Sequence, residues 1–101
     1  MNDLNSILLE GAVEGDVQAV NGRACFAIKS FRYYKWEDGA IHKTVIAVNI
    51  KTKGKLGEIC AENLKKDQRV RIVGRLGTDL DGGIYIFAEH VEFRPGKAKK
   101  A

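Results

Sequence analysis

The sequence has little of what marks secreted, membrane-spanning or metal-binding proteins. It contains only two cysteines, Cys25 and Cys60, and two histidines, and none of them has the spacing of a zinc site. No apolar run approaches the length of a membrane span, and the N-terminus opens with Asp3 and lacks the basic region of a secretory signal. Isolated thiols in such a chain are typical of buried intracellular cysteines. We therefore expect a cytoplasmic protein with no metal, no cofactor and no membrane contact.

Catalytic motifs are also missing. The chain carries no nucleophile with a base, no carboxylate pair and no phosphate-binding loop at a recognisable spacing. The segment Gly54-Lys55-Leu56 lacks the upstream glycine and the following serine or threonine of such a loop. With 101 residues, one proline and 45% hydrophobic residues, the chain is long and apolar enough to fold around one core. Because these motifs are missing, a binding protein is favoured over an enzyme.

Positive charge is concentrated in the middle of the chain. There are 17 lysine and arginine residues against 13 aspartate and glutamate residues, for a net charge of +4. Residues 1–22 contain four acidic residues and no basic one. Between Arg23 and Lys55, only Glu37 and Asp38 oppose eight cationic side chains. This distribution predicts a positive surface formed by the central segments.

Alternating apolar residues predict five strands. The first is expected at residues 6–13, and residues 17–20 can continue it after a turn at Gly15-Asp16. The others are expected at residues 23–34, 42–53, 69–76 and 84–93. The third is the clearest, with one face formed by Thr44, Ile46, Val48, Ile50 and Thr52. Asn21-Gly22 predicts a tight hairpin turn between the first two strands.

A helix is predicted between the third and fourth strands. Leu56, Ile59, Cys60 and Leu64 lie on one helical face, with Glu58 placed in the first turn and Lys65-Lys66 in the last, as the helix dipole favours. This element order predicts an all-β fold with one helix, a five-stranded OB-fold Greek-key barrel. SH3-like barrels and other five-stranded α+β folds are the alternatives. The domain is expected to span residues 1–95, followed by a short, disordered basic tail at 96–101.

Aromatic and basic residues alternate at the tip of the second hairpin, where residues 31–36 read FRYYKW. Single-stranded nucleic acid needs cations along its phosphates and aromatic faces for its unpaired bases, each stacked base contributing about 1–3 kcal/mol. The predicted contact residues are Lys29, Arg32, Tyr33, Tyr34, Lys35, Trp36, Lys43, Lys51, Lys53, Arg69, Arg71 and Arg75. The alternative is a solvated lysine surface, with aromatic residues that pack the hairpin or an interface. Because cations and aromatic residues occur together, nucleic acid is favoured.

Two neighbouring segments resemble the bacterial single-stranded DNA-binding proteins. They are GKLGEICAENLKK at residues 54–66 and RVRIVGRL at residues 69–76. The segments ILLEG (7–11) and AEHVEF (88–93) also fit, so the resemblance covers essentially the whole chain. It implies an OB fold and sequence-independent binding of single-stranded DNA in replication, recombination or repair, in association with the nucleoid. It also implies a homo-oligomer, a tetramer or a dimer built partly through the first strand, with replication and repair proteins as partners.

The sequence departs from this family where bases would stack. Alignment on residues 54–56 puts the aromatic of the family's second strand at or beside Tyr34. Its two third-strand aromatics fall at Ala47 and Lys53, and its loop aromatic falls near Asp81. The family's flexible tail with an acidic tip has no match, so either that tail was removed or the chain is a tail-less relative. More lysine and less stacking predict weaker and more salt-sensitive DNA binding.

These departures keep two other functions open. One is a diverged OB-fold adaptor, similar to the primosomal proteins, whose main partners are proteins and whose DNA binding is weak. The other is an RNA-binding module of the cold-shock type, which is less favoured because the third strand has no aromatic-rich motif. Tight binding of a poly-dT oligonucleotide at moderate salt would favour the DNA-binding protein over the adaptor.

Overall fold

Five strands form a closed barrel, and one helix lies between the third and the fourth of them. The computed structural model describes residues 1–95, and the predicted tail at 96–101 lies outside the described residues. The elements are β1 Ile7–Val20, β2 Arg23–Lys35, β3 Ile41–Lys53, α1 Gly54–Asn63, β4 Arg69–Thr78 and β5 Ile84–Arg94. Around the barrel, the strands follow the order β1-β2-β3-β5-β4. The predicted OB-fold barrel is confirmed.

The first strand closes the barrel because it pairs with two others. Its first half is antiparallel to β4 and its second half is antiparallel to β2. The predicted turn at Gly15-Asp16 is wrong, since β1 continues through it. The register with β2 shifts there, between Glu14 and Gln18, and Gly15 adopts a φ of +79° that glycine tolerates. A bulge of this kind increases the bend of a strand, so one strand can serve both sides of the barrel.

The core contains the inward-facing residues of every strand. Its largest fully buried side chains include Ile28, Ile50 and Ile72. Thr52, on the predicted apolar face of β3, is also buried, and its hydroxyl donates a hydrogen bond to the Ala24 carbonyl. These burials follow the alternation of the sequence, because successive side chains of a strand point to opposite faces.

The helix α1 closes one end of the barrel through Gly57 and Cys60, which are both buried. The predicted charge pattern at its ends is wrong. Because α1 ends at Asn63, Lys65-Lys66 follow the helix, and Glu58 lies beyond its first turn. The chain leaves the helix at Leu64, which turns into the core in an extended conformation. In the described part of the chain, no helix is long and apolar enough to span a membrane.

The β2–β3 hairpin extends well beyond the barrel. Its pairs run without interruption from Arg23–Lys53 to Lys35–Ile41. By contrast, β1 pairs with β2 only as far as Lys29, and β5 pairs with β3 only over residues 49–51. Residues 30–46 therefore form a projecting two-stranded arm. The predicted burial of Thr44 and Ile46 is wrong, because this part of β3 has no barrel core behind it and both residues are exposed.

Candidate nucleic-acid interface

Four neighbouring strands share one outward surface, which we call the outer face. Two rows of register partners define it. The first row is Cys25, Lys51, Phe87 and Arg75, and the second is Ala27, Asn49, Tyr85 and Gly77. On β3 and β5, the residues that alternate with these rows, Ile50 and Ile86, point into the core. The outer face is therefore the solvent side of the same sheet whose inner side is the barrel core.

Cations lie against the aromatic rings of β5 on this face. The Nζ atom of Lys51 lies 4.2 Å from the centre of the Tyr85 ring. The Phe87 ring has the Arg75 guanidinium at 4.9 Å and the Lys53 Nζ atom at 5.8 Å. At such distances the ring quadrupole attracts the cation. The structure thus brings together three predicted cations from two strands around two rings that were not predicted.

The alternation in residues 84–88 (IYIFA) was sufficient to predict that these two rings face outward from the barrel. It places Tyr85 and Phe87 on the face opposite to the buried Ile86. The sequence pattern does not show which strand lies beside β5. The parallel pairing with β3 sets Tyr85 beside Asn49 and Phe87 beside Lys51.

The Tyr85 ring packs directly on Gly77 of β4. A Cβ atom at this glycine would lie 2.7 Å from Cζ of the ring, closer than side-chain atoms normally approach. The ring therefore lies across the backbone of β4, and any larger residue at this position would displace it. Aromatic rings that cover a glycine of the neighbouring strand stabilise sheets in this way.

Carboxylates hold the cations of the outer face in place. The Lys51 Nζ atom lies 2.5 Å from Oδ1 of Asp79, Arg75 pairs with Glu89, and the pair Lys29–Glu14 is separated by 3.4 Å. The hydrogen bond with Asp79 raises the pKa of Lys51. Asp79 begins the β4–β5 turn, which is closed by its backbone hydrogen bonds to Gly83 and Gly82. All three pairs are partly exposed, so solvent screening weakens the attraction between their charges.

The arm separates the predicted aromatic residues onto its two sides. Tyr33 lies opposite Lys43 in the register, and Phe31 lies opposite Val45. The Lys43 Nζ atom is 5.0 Å from the centre of the Phe31 ring. Because these residues share the alternation of Lys29, they continue the outer face along the arm. Tyr33 is 66% exposed, so its ring is available to a ligand.

Tyr34 and Trp36 pack together on the other side of the arm, with His42 between them. The His42 ring stacks on Tyr34 at 5.7 Å and lies 4.4 Å from Trp36. The Nε2 atom of His42 is buried, with no hydrogen-bond partner among the described residues. Arg32 shares this side by its alternation with Tyr34. Although the Trp36 ring packs against Tyr34 and His42, the residue is 53% exposed.

Two predicted arginines lie elsewhere on the barrel. Arg69 and Arg71 belong to the part of β4 that pairs with β1. Arg71 lies 3.6 Å from Glu10 and 3.7 Å from Glu92, and Arg94 contacts the same two carboxylates. The charge of Arg71 is therefore balanced within the protein. Of the three predicted arginines of β4, the structure brings only Arg75 to the outer face.

The predicted residues thus fall into three groups. The outer face and its continuation on the arm contain Lys29, Tyr33, Lys35, Lys43, Lys51, Lys53 and Arg75. The opposite side of the arm and its tip contain Arg32, Tyr34 and Trp36. The surface near β1 contains Arg69 and Arg71. Within residues 1–95, no three histidine, cysteine, aspartate or glutamate side chains are grouped to hold a metal ion.

Two solved structures share this architecture over nearly their whole length. A small single-stranded DNA-binding protein from Streptomyces coelicolor matches with a TM-score of 0.75 and 16% sequence identity, over 93% of this chain and 95% of that chain. The Plasmodium falciparum SSB, in complex with ssDNA, matches with a TM-score of 0.77 and 19% identity, over 94% and 98%. The chain has the fold of these proteins. No family model matches the sequence, and no curated protein matches it either.

Proposed function

We propose that this protein binds single-stranded DNA independently of sequence and without catalysis, as a member of the single-stranded DNA-binding family. The observation that carries the proposal is the outer face, where cations lie against aromatic rings from β5 to the arm. Such a surface offers phosphate contacts together with faces for base stacking. The shared fold with two proteins described as single-stranded DNA-binding proteins supports the same conclusion.

In the proposed complex, the DNA follows the outer face and continues onto the arm. Lysines and Arg75 hold the phosphates, and Tyr33 stacks on a base from the exposed side of the arm. Tyr34 and Trp36 contact the strand where it passes around the arm tip, together with Arg32 and the tip lysine, Lys35. The phosphate ligands are Lys29, Lys43, Lys51, Lys53 and Arg75. Arg69 and Arg71 lie on the part of β4 that pairs with β1, away from the outer face, so in this proposal they do not contact the DNA there.

The test is a titration of dT oligonucleotides of increasing length at several salt concentrations, followed by fluorescence anisotropy. We expect the logarithm of the association constant to fall linearly with the logarithm of the salt concentration, by about 0.7 per phosphate neutralised. Replacing Lys43 and Lys51 with glutamine should make this slope shallower. Lys55→Gln, on the exposed surface of α1, is the matched control and should leave it unchanged. An affinity that does not respond to salt, or equal binding of duplex DNA, would contradict the proposal.

The exposed apolar residues of the arm favour a second candidate, the protein-binding adaptor. Ile41 and Ile46 leave much of their side chains in solvent on the two sides of the arm. Exposed apolar surface of this kind marks interaction sites. The dT titration separates the two functions, because an adaptor would bind dT only at the level of non-specific contacts.

We also propose that the protein acts as a homo-oligomer, a tetramer or a dimer, in the cytoplasm with the nucleoid. Leu8 of β1 is 68% exposed, and the arm carries further apolar side chains, so both surfaces are candidates for self-association. In this setting the protein protects single strands during replication, recombination or repair. Sedimentation velocity measures the oligomeric state, and a monomer at micromolar concentration would contradict this part of the proposal.

A further inference from the structure

The aromatic surface of the barrel lies on β5, because β3 has no aromatic side chain on its outer side. The outward residues of β3 are Ile41, Lys43, Val45, Ala47, Asn49, Lys51 and Lys53. Beside them, β5 presents Tyr85 and Phe87, both half-buried, while Ile86 and Ala88 fill the core. The two rings are therefore not part of the core, although Tyr85 also covers the backbone of Gly77. Part of each ring stays open to solvent on the outer face, where it can contact a ligand.

The spacing of the two rings suits successive bases of an extended strand. Residues two apart on one side of a strand are separated by about 6.6 Å. Stacked bases of a DNA strand are about 3.4 Å apart, so two rings at twice that distance can each contact one base of an unstacked strand. The Tyr85 ring is fixed over Gly77, which holds it in one orientation before DNA arrives.

The charges around the rings match a phosphate backbone. Lys51, Lys53 and Arg75 all lie within 6 Å of one of the two ring centres. In the free protein, the Asp79 carboxylate pairs with Lys51, and the Glu89 carboxylate pairs with Arg75. A phosphate can take the place of either carboxylate, since both are acceptor groups for the same donors. A cation that turned from its carboxylate to a phosphate would expose more of the ring beneath it.

We infer that Tyr85 and Phe87 form a base-stacking site on β5, with Lys51, Lys53 and Arg75 as its phosphate ligands. This inference rests on the proposed function, since it identifies where the barrel itself holds the bases. It divides the DNA contacts into two parts. The β5 site contacts bases on the barrel, and the arm contacts a different stretch of the same strand.

Photocrosslinking tests the site on the unsubstituted protein. A dT oligonucleotide with single 5-iodouracil substitutions is irradiated with the protein, and the crosslinked peptide is identified by mass spectrometry. We expect crosslinks at Tyr85 or Phe87 for some positions of the label and in the arm for others. Crosslinks confined to residues 31–36 for every label position would overturn the inference.

Substitution provides the second test. In the variant Tyr85→Leu/Phe87→Leu, the loss of two stacking faces should weaken dT binding by at least about tenfold. The salt dependence should keep its slope, because no charge is removed. Phe93→Leu is the matched control on the same strand, since Phe93 pairs with the buried Val70 and lies off the outer face, and it should bind within twofold of the unsubstituted protein. Tyr85→Phe, which keeps the ring, should also bind normally.

The two proposals fail differently. If the unsubstituted protein does not bind dT, the proposed function fails and the β5 site fails with it. If it binds dT tightly and the Tyr85→Leu/Phe87→Leu variant, shown to be folded by circular dichroism, binds equally well, only the β5 site is overturned.

Discussion

Asp79 shows how one residue can tune the affinity of the outer face. It holds Lys51 at 2.5 Å, so DNA has to compete with a carboxylate for this cation. Asp79→Asn removes the competing charge and should raise dT affinity by about two- to fivefold, in line with the strength of an exposed ion pair. Competition titrations with labelled dT measure the change.

The control for this prediction comes from the same turn. Asp81 has the same charge, but its carboxylate accepts a hydrogen bond from the Gly83 backbone, which an asparagine can retain. Asp81→Asn should therefore change the affinity much less than Asp79→Asn. Equal increases in the two variants would show a general effect of net charge and would refute the role of the Lys51–Asp79 pair.

Cys60 couples the stability of the fold to alkaline pH. Burial raises the pKa of its thiol from 9.0 to about 11. In the unfolded chain the thiol loses its proton at the lower value, so between these values the folded state binds more protons. The contribution of Cys60 is fully present below pH 9 and is lost as the pH rises towards 11.

Urea unfolding at a series of alkaline pH values measures this loss. We expect Cys60→Ala to have a shallower decline of the unfolding free energy above pH 9 than the unsubstituted protein. Cys25→Ala, at the half-buried cysteine of the outer face, should retain the original decline. Identical slopes for all three proteins would contradict the assignment to Cys60.

At the scale of elements, two glycines allow strands to approach closely. A Cβ atom at Gly11 of β1 would lie 2.3 Å from the Lys29 carbonyl oxygen, and one at Gly74 of β4 would lie 2.2 Å from the Phe87 carbonyl oxygen. Both obstacles are backbone atoms of the neighbouring strand, which cannot rotate away. The two positions therefore need glycine, and each lies next to a strand of the outer face.

Gly11→Ala should consequently destabilise the barrel by about 1–3 kcal/mol, the usual range for overpacking. Gly83→Ala is the control, because its Cβ atom would meet only side-chain oxygens, at 3.4 Å, and it should change stability by less than about 0.5 kcal/mol. Thermal and urea unfolding report both values. If Gly11→Ala unfolds like the unsubstituted protein, the close contact with Lys29 is not a constraint on the fold.

At the scale of the whole molecule, the barrel mixes charges that are separate in the sequence. Three of the four acidic residues of the N-terminal segment, Glu10, Glu14 and Asp16, belong to β1, which lies between β2 and β4. Glu14 therefore pairs with Lys29, and Glu10 pairs with Arg71 and Arg94. The positive surface predicted from the sequence is reduced on the β1 side as a result. On the outer face, cations remain beside the aromatic rings of β5 and of the arm.

The order of the elements and most of the inward residues of the barrel follow from the amino-acid sequence alone. Both depend on periodicity within one segment, such as the alternation that buries Ala24, Phe26 and Ile28 in β2. The third strand marks the limit of this reasoning. Its alternation is regular throughout, yet only the part near Ile50 and Thr52 is buried, because the length of the barrel and not the pattern ends the core.

The set of side chains that form the candidate site depends on how the strands pair in the folded barrel. Alternation predicts which side of a strand a residue faces. It does not predict which other strand lies next to that residue. The parallel pairing of β3 with β5 brings Lys51 to Tyr85, and the pairing of β4 with β1 gives Arg71 to Glu10. These partners are distant in sequence and become neighbours only when the barrel closes. From the sequence alone, each lysine or arginine could bind DNA or pair with one of the protein's own carboxylates. The strand order decides which groups lie beside it.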